Sequence, residues 1–113
     1  MQQEVKKIKP YPIGTIFSGV GAPFKGSILK LVPKGFIVDM LGHIVQVGDL
    51  MQVEFDIPVH RVPIQAAAKV MKTYDRTNPE KHSIDRVAEF HFLKLTDSQA
   101  SAINDFLAAI GQD

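Results

Sequence analysis

Between Met51 and Ile57 the chain alternates without a break: Met51, Val53, Phe55 and Ile57 are apolar, while Gln52, Glu54 and Asp56 are polar or acidic. Successive side chains of a β-strand point to opposite faces, so this segment as a strand puts its apolar atoms on one face and its acids on the other. A strand of this kind needs neighbours, and the sequence offers them. Ile64, Ala66, Ala68 and Val70 form a second apolar row, opposed by Gln65 and Lys69, and the small alanines predict close packing. Ala88, Phe90 and Phe92 form a third row, with His91 expected to face outward.

From Gly14 to Lys94, short runs of Val, Ile and Phe are separated by Gly, Pro and Asp, the punctuation of a β protein. The predicted strands are Gly14–Val20, Ser27–Val32, Gly35–Leu41, Met51–Ile57, Val62–Tyr74 and Arg86–Leu93. GVGAPFKG, Gly19 to Gly26, reads as a hairpin turn, and Val47–Asp49 as a tight turn into the next strand. Asp75–Lys81 reads as a polar loop between two long strands.

The last segment changes period. Thr96 and Gln99 have capping-box spacing, with Leu95 and Ala100 placed as a hydrophobic staple and Asp97 in the first turn. Ala100, Ile103, Phe106, Leu107 and Ile110 form a stripe at helical spacing, and Gly111 follows as a terminator. The spacing predicts a helix over 97–110, packed against the sheet or across a barrel mouth. At 113 residues the chain is one domain. The expected architecture is mainly β: a small six-stranded antiparallel β-barrel with one C-terminal α-helix. A basic segment, 1–13, precedes a single folded unit, 14–113.

The net charge of +1 conceals an asymmetry: residues up to Val38 carry +5 and the remainder −4. A basic first third attracts anions, nucleic acid or acidic protein surfaces. The absence of cysteine excludes disulfides and thiolate metal sites, and fits a reducing cytoplasm. MQQEVKKIKP has no apolar core of a signal peptide, and no apolar run has the length of a membrane span.

Catalytic signatures are weak. His43, His60, His82 and His91 are far apart and share no metal-ligand spacing. Gly19–Gly26 lacks the Gly-Lys-Ser/Thr ending of a phosphate loop, and no helix start follows it. Glu54 and Asp56 pair on the polar face of a strand, where solvated surface is the default. Few aromatics are interleaved with the N-terminal lysines, which argues against nucleic acid as a partner.

In order and spacing the chain resembles a PilZ domain, a bacterial β-barrel module of cyclic di-GMP signalling. RVAEFHFLKLTDSQASAINDFL resembles that family's closing strand and helix, GDLMQVEFDIP its mid-domain strand, and GSILKLVPKGFIV its second hairpin. The resemblance spans Lys6 to Ile110. Nucleotide-binding members carry Arg-x-x-x-Arg before the first strand and Asp/Asn-x-Ser-x-x-Gly in the hairpin. Here the second motif reads Lys30-Leu31-Val32-Pro33-Lys34-Gly35, in which only Gly35 agrees, and the first is replaced by Lys6, Lys7 and Lys9.

Lysine is a point charge where arginine offers a planar fork, and Val32 has no hydroxyl. The resemblance therefore implies a cytoplasmic, non-enzymatic adaptor without a cofactor, acting through a protein partner in type IV pilus function or motility. It implies that high-affinity recognition of cyclic di-GMP is lost. The alternative is a receptor that takes cyclic di-GMP, weakly or in an altered mode, through Lys6, Lys7, Lys9, Lys30, Lys34 and Gly35. Gly35 also has a structural reading, as a turn position with positive φ or one of close backbone approach.

Overall fold

The computed structural model describes residues 10–19, 21–58 and 61–111. Its elements are β1 (Ile13–Gly19), β2 (Gly21–Val32), β3 (Gly35–Asp39), β4 (Leu50–Ile57), β5 (Val62–Asn78), β6 (Ser83–Phe92) and α1 (Asp97–Ala109). The strands close into an antiparallel barrel in the order β1-β2-β3-β6-β5-β4, with β4 returning to β1. Closure leaves no free sheet edge around the barrel wall, which is how a small all-β unit avoids pairing with other chains.

The expected alternation is present. Met51, Val53, Phe55 and Ile57 are buried and Gln52, Glu54 and Asp56 exposed. Ile64, Ala66, Ala68 and Val70 point inward along β5, Ala88 and Phe90 along β6, and His91 is exposed. Inside, Phe90 stacks against both Phe17 and Phe36, with ring centroids 5.1 Å apart in each pair. Phe55 and Phe92 extend this aromatic column through Phe36. The one buried polar side chain among the described residues, Thr15, donates its hydroxyl proton to the Glu54 carbonyl at 2.9 Å, so it enters the interior satisfied.

Each mouth of the barrel is covered. At one end, α1 buries Ile103, Phe106 and Leu107, and Phe106 meets Tyr11 edge-on at 6.3 Å. Thr96 and Gln99 form the predicted capping box, and the Gln99 amide donates to the Gln65 carbonyl of β5 at 3.0 Å. Gly111, at φ +72°, ends the helix and donates its N–H to the Ala108 carbonyl. At the other end the β3–β4 loop inserts Met40 and Val45 into the core, and His43 stacks on Phe24 at 4.3 Å. Among the described residues no helix is long and apolar enough to cross a membrane.

Several boundaries differ from the sequence reading. Gly19–Gly26 is a hairpin turn only at its start, because β2 begins at Gly21. Glycine at position 26 is a packing requirement: a Cβ there would stand 2.7 Å from the Phe17 ring and 3.0 Å from Val38. β3 stops at Asp39, since Leu41 (φ +53°) and Gly42 (φ +88°) turn the chain away. Asp75–Lys81 is mostly strand. β5 continues to Asn78 and β6 starts at Ser83, and the ribbon is laced by Asp75–Arg86 at 3.2 Å and Arg76–Asp85 at 3.6 Å. Cross-strand ion pairs and the ladder stabilise a ribbon whose composition is that of a loop. The remaining boundaries lie within one residue of expectation, apart from Val20, which lies outside the described residues.

Candidate functional site

The β2–β3 hairpin closes through two residues, Pro33 and Lys34, with Val32 opposite Gly35. Proline presets φ for the first turn position. Upstream, the register slips between Ile28 and Lys30, so Leu29 is the extra residue of a bulge and Lys30 faces Ile37. Lys30 and Lys34 are both exposed. Lys30 lies on the outer wall and Lys34 at the apex of the turn. Val32 is half-buried.

Gly35 has a different place. It is buried, its φ is not in the left-handed region, and a Cβ there would fall 1.8 Å from the Phe90 carbonyl oxygen and 3.0 Å from the His91 Cα. Of the two structural readings of this glycine, close approach is the one realised. The contact seats the hairpin on β6, and the Lys34 carbonyl accepts the Phe92 N–H at 2.8 Å.

The turn borders a shallow depression of about 260 Å³, lined by Pro33, Lys34, His91, Phe92, Lys94 and Leu95 among others. Register places Lys69 of β5 opposite His91. Lys34, His91, Lys94 and Lys69 therefore share one side of the barrel near its helix end. Lys30 does not line the depression; along its own row it is followed by Ile37, Glu89 and Lys72. Lys6, Lys7 and Lys9 lie outside the described residues. The sequence reading missed this grouping, because cross-strand register brings Lys69 beside His91, and the fold beyond the end of β6 brings Lys94 to the same depression as Lys34. The outward direction of His91 was the available signal.

Farther along the same wall, Glu89 hydrogen-bonds Tyr74, and Lys72 sits 5.4 Å from the Tyr74 ring centre. Burial raises the Tyr74 pKa above its usual 10.0, helped by the Glu89 charge and the hydrogen bond to it, and opposed by Arg76. Among the described residues no group of three or more His, Asp or Glu side chains is placed to hold a metal ion. Glu54 is exposed and accepts a short hydrogen bond from the Gln65 amide.

The sequence matches no family model and no curated protein. Solved structures do share its fold. The PilZ domain of YcgR from Escherichia coli, with c-di-GMP, superposes with a TM-score of 0.74 at 11% identity, covering 88% of this chain and 82% of that one. The Bacillus subtilis inhibitor of motility, MotI/DgrA, gives 0.74 at 12% identity, covering 96% of this chain and 51% of that one. YcgR of E. coli in complex with c-di-GMP gives 0.73 at 12%, covering 88% of this chain and 41% of that one. The chain thus spans about half of the motility inhibitor and two-fifths of that longer YcgR chain. Barrel order, capping helix and these superpositions agree: the chain has the fold of a PilZ domain.

Proposed function

We propose that this chain is a non-enzymatic adaptor of the PilZ kind, which works by holding a protein partner and does not recognise cyclic di-GMP with high affinity. One observation carries the reading. The single motif residue retained in the hairpin, Gly35, is packed against the Phe90 carbonyl, so the barrel itself requires it. Of the exposed side chains around the turn, Lys30, Pro33 and Lys34, the two that carry polar groups are Lys30 and Lys34. Neither accepts a hydrogen bond or offers arginine's bidentate fork to a guanine edge or a phosphate. The cysteine-free composition suits a reducing cytoplasm. Residues 1–9, with three lysines, are proposed to contribute to the partner contact by charge.

The test is calorimetric titration with cyclic di-GMP at low and moderate salt, with GTP as control. The adaptor reading predicts no saturable heat at micromolar protein. The competing reading, a receptor using Lys6, Lys7, Lys9, Lys30 and Lys34, predicts low-micromolar affinity that weakens with salt and with Lys30→Ala. That outcome would overturn the proposal.

A further inference from the structure

Beyond the barrel wall, one edge of β6 is left without a partner. β3 accompanies β6 from Gly35 opposite His91 to Asp39 opposite Val87. One step further, the Met40 N–H still donates to the Arg86 carbonyl at 2.9 Å. Leu41 and Gly42 then carry the chain away. In an antiparallel strand the N–H and C=O of one residue point to the same side, and every second residue repeats that direction. Arg86 faces β3, so the N–H and C=O of Ile84 face that side too. Among the described residues no strand pairs with β6 there.

The groove beside this edge has a volume of about 440 Å³ and is lined by Leu41, Ile44 and Ile84. Ile44 is 75% exposed and Ile84 71%, the two most exposed large apolar side chains among the described residues. The acids of the rim are already engaged. Asp75 pairs with Arg86, Asp85 with Arg76 and Asn78, and Asp39 accepts the Leu41 N–H. Lys81 is the lining cation whose side chain has no such partner.

We propose that this groove is a strand-addition site for an extended segment of a protein partner. The segment runs antiparallel to β6, in line with β3. It hydrogen-bonds the Ile84 backbone, sets alternate apolar side chains against Leu41, Ile44 and Ile84, and brings an acidic residue to Lys81. Interfaces between two folded proteins engage roughly 20–30 residues a side, so three apolar side chains and one open edge suit a short peptide rather than a second copy of this chain. The inference rests on the adaptor reading and specifies the partner's chemistry.

A phage-displayed library of random dodecapeptides, selected on the immobilised full chain, tests it. The selected peptides are expected to alternate apolar residues and to carry an acid. Their affinity should fall about tenfold or more for Ile84→Pro, which removes the outward N–H together with the isoleucine side chain, and for Ile44→Lys. Amide exchange at Ile84 should slow in the complex. Equal binding to both folded variants, or selection of no peptide, would overturn the proposal. Concentration-dependent dimerisation abolished by Ile84→Pro would instead assign the groove to a second copy. Nucleotide titration reports separately: tight cyclic di-GMP binding alongside intact peptide selection would remove the adaptor reading and keep the site.

Discussion

Gly35 and Gly14 are both strand residues, yet they differ completely in what surrounds them. A Cβ at Gly35 meets the Phe90 carbonyl oxygen at 1.8 Å, whereas one at Gly14 meets nothing within 4 Å. Backbone oxygen cannot move aside as a side-chain tip can. Gly35→Ala is therefore expected to cost about 3–5 kcal/mol, and Gly14→Ala to stay within about 0.5 kcal/mol. Urea midpoints at unchanged slope measure both. A mild effect at Gly35 would reopen a ligand role for that glycine. Tyr74 supplies a second residue-level test. Its pKa is raised in the folded state, so above pH 10 the unfolded chain releases that proton first. Its contribution is present below pH 10 and is lost as pH rises through the higher folded value. Melting temperature should fall less steeply in that alkaline range for Tyr74→Phe than for the parent chain. Parallel curves would refute this.

Among the elements, α1 was the most legible in sequence, because its signals are local. The capping box, the apolar stripe and Gly111 all occur within one short segment, and all appear in the structure. Thr96→Ala removes the hydroxyl that accepts the Gln99 N–H at 3.1 Å, and should cost about 1 kcal/mol in thermal or urea unfolding. A loss near zero would mean that the tie from Gln99 to Gln65 and the core packing hold the helix start by themselves. The β4 alternation was equally plain, since one face meets the core and the other meets water. The β5–β6 ribbon was not. Asp75, Arg76, Asp85 and Arg86 carry no apolar period, and their strand character comes from cross-strand pairing that only register reveals. The same limit hid the grouping of Lys34 with His91, Lys94 and Lys69. Lys30 and Lys34 were legible as residues of one hairpin, but sequence could not separate them into two surfaces.

At the scale of the molecule, a closed barrel with both mouths covered leaves function to its outer surface. Among the described residues the interior is packed around the Phe17, Phe36 and Phe90 column, which leaves no room there for a ligand of nucleotide size. Two outer surfaces stand out: the lysine- and histidine-bearing side around the β2–β3 turn, and the apolar groove beside the β5–β6 ribbon at the far end. The first carries Lys34, one of the proposed nucleotide contacts, and the second is the proposed peptide groove. On the proposed reading, the hairpin keeps the geometry of its fold while its ligand chemistry is gone. An amide-resolved NMR titration with cyclic di-GMP, read at Val32, Lys34, Gly35 and His91, tests it most directly. No saturating shifts are expected at these amides with ligand in excess over micromolar protein. Shifts that saturate there at low-micromolar ligand, and vanish in Lys30→Ala, would contradict it.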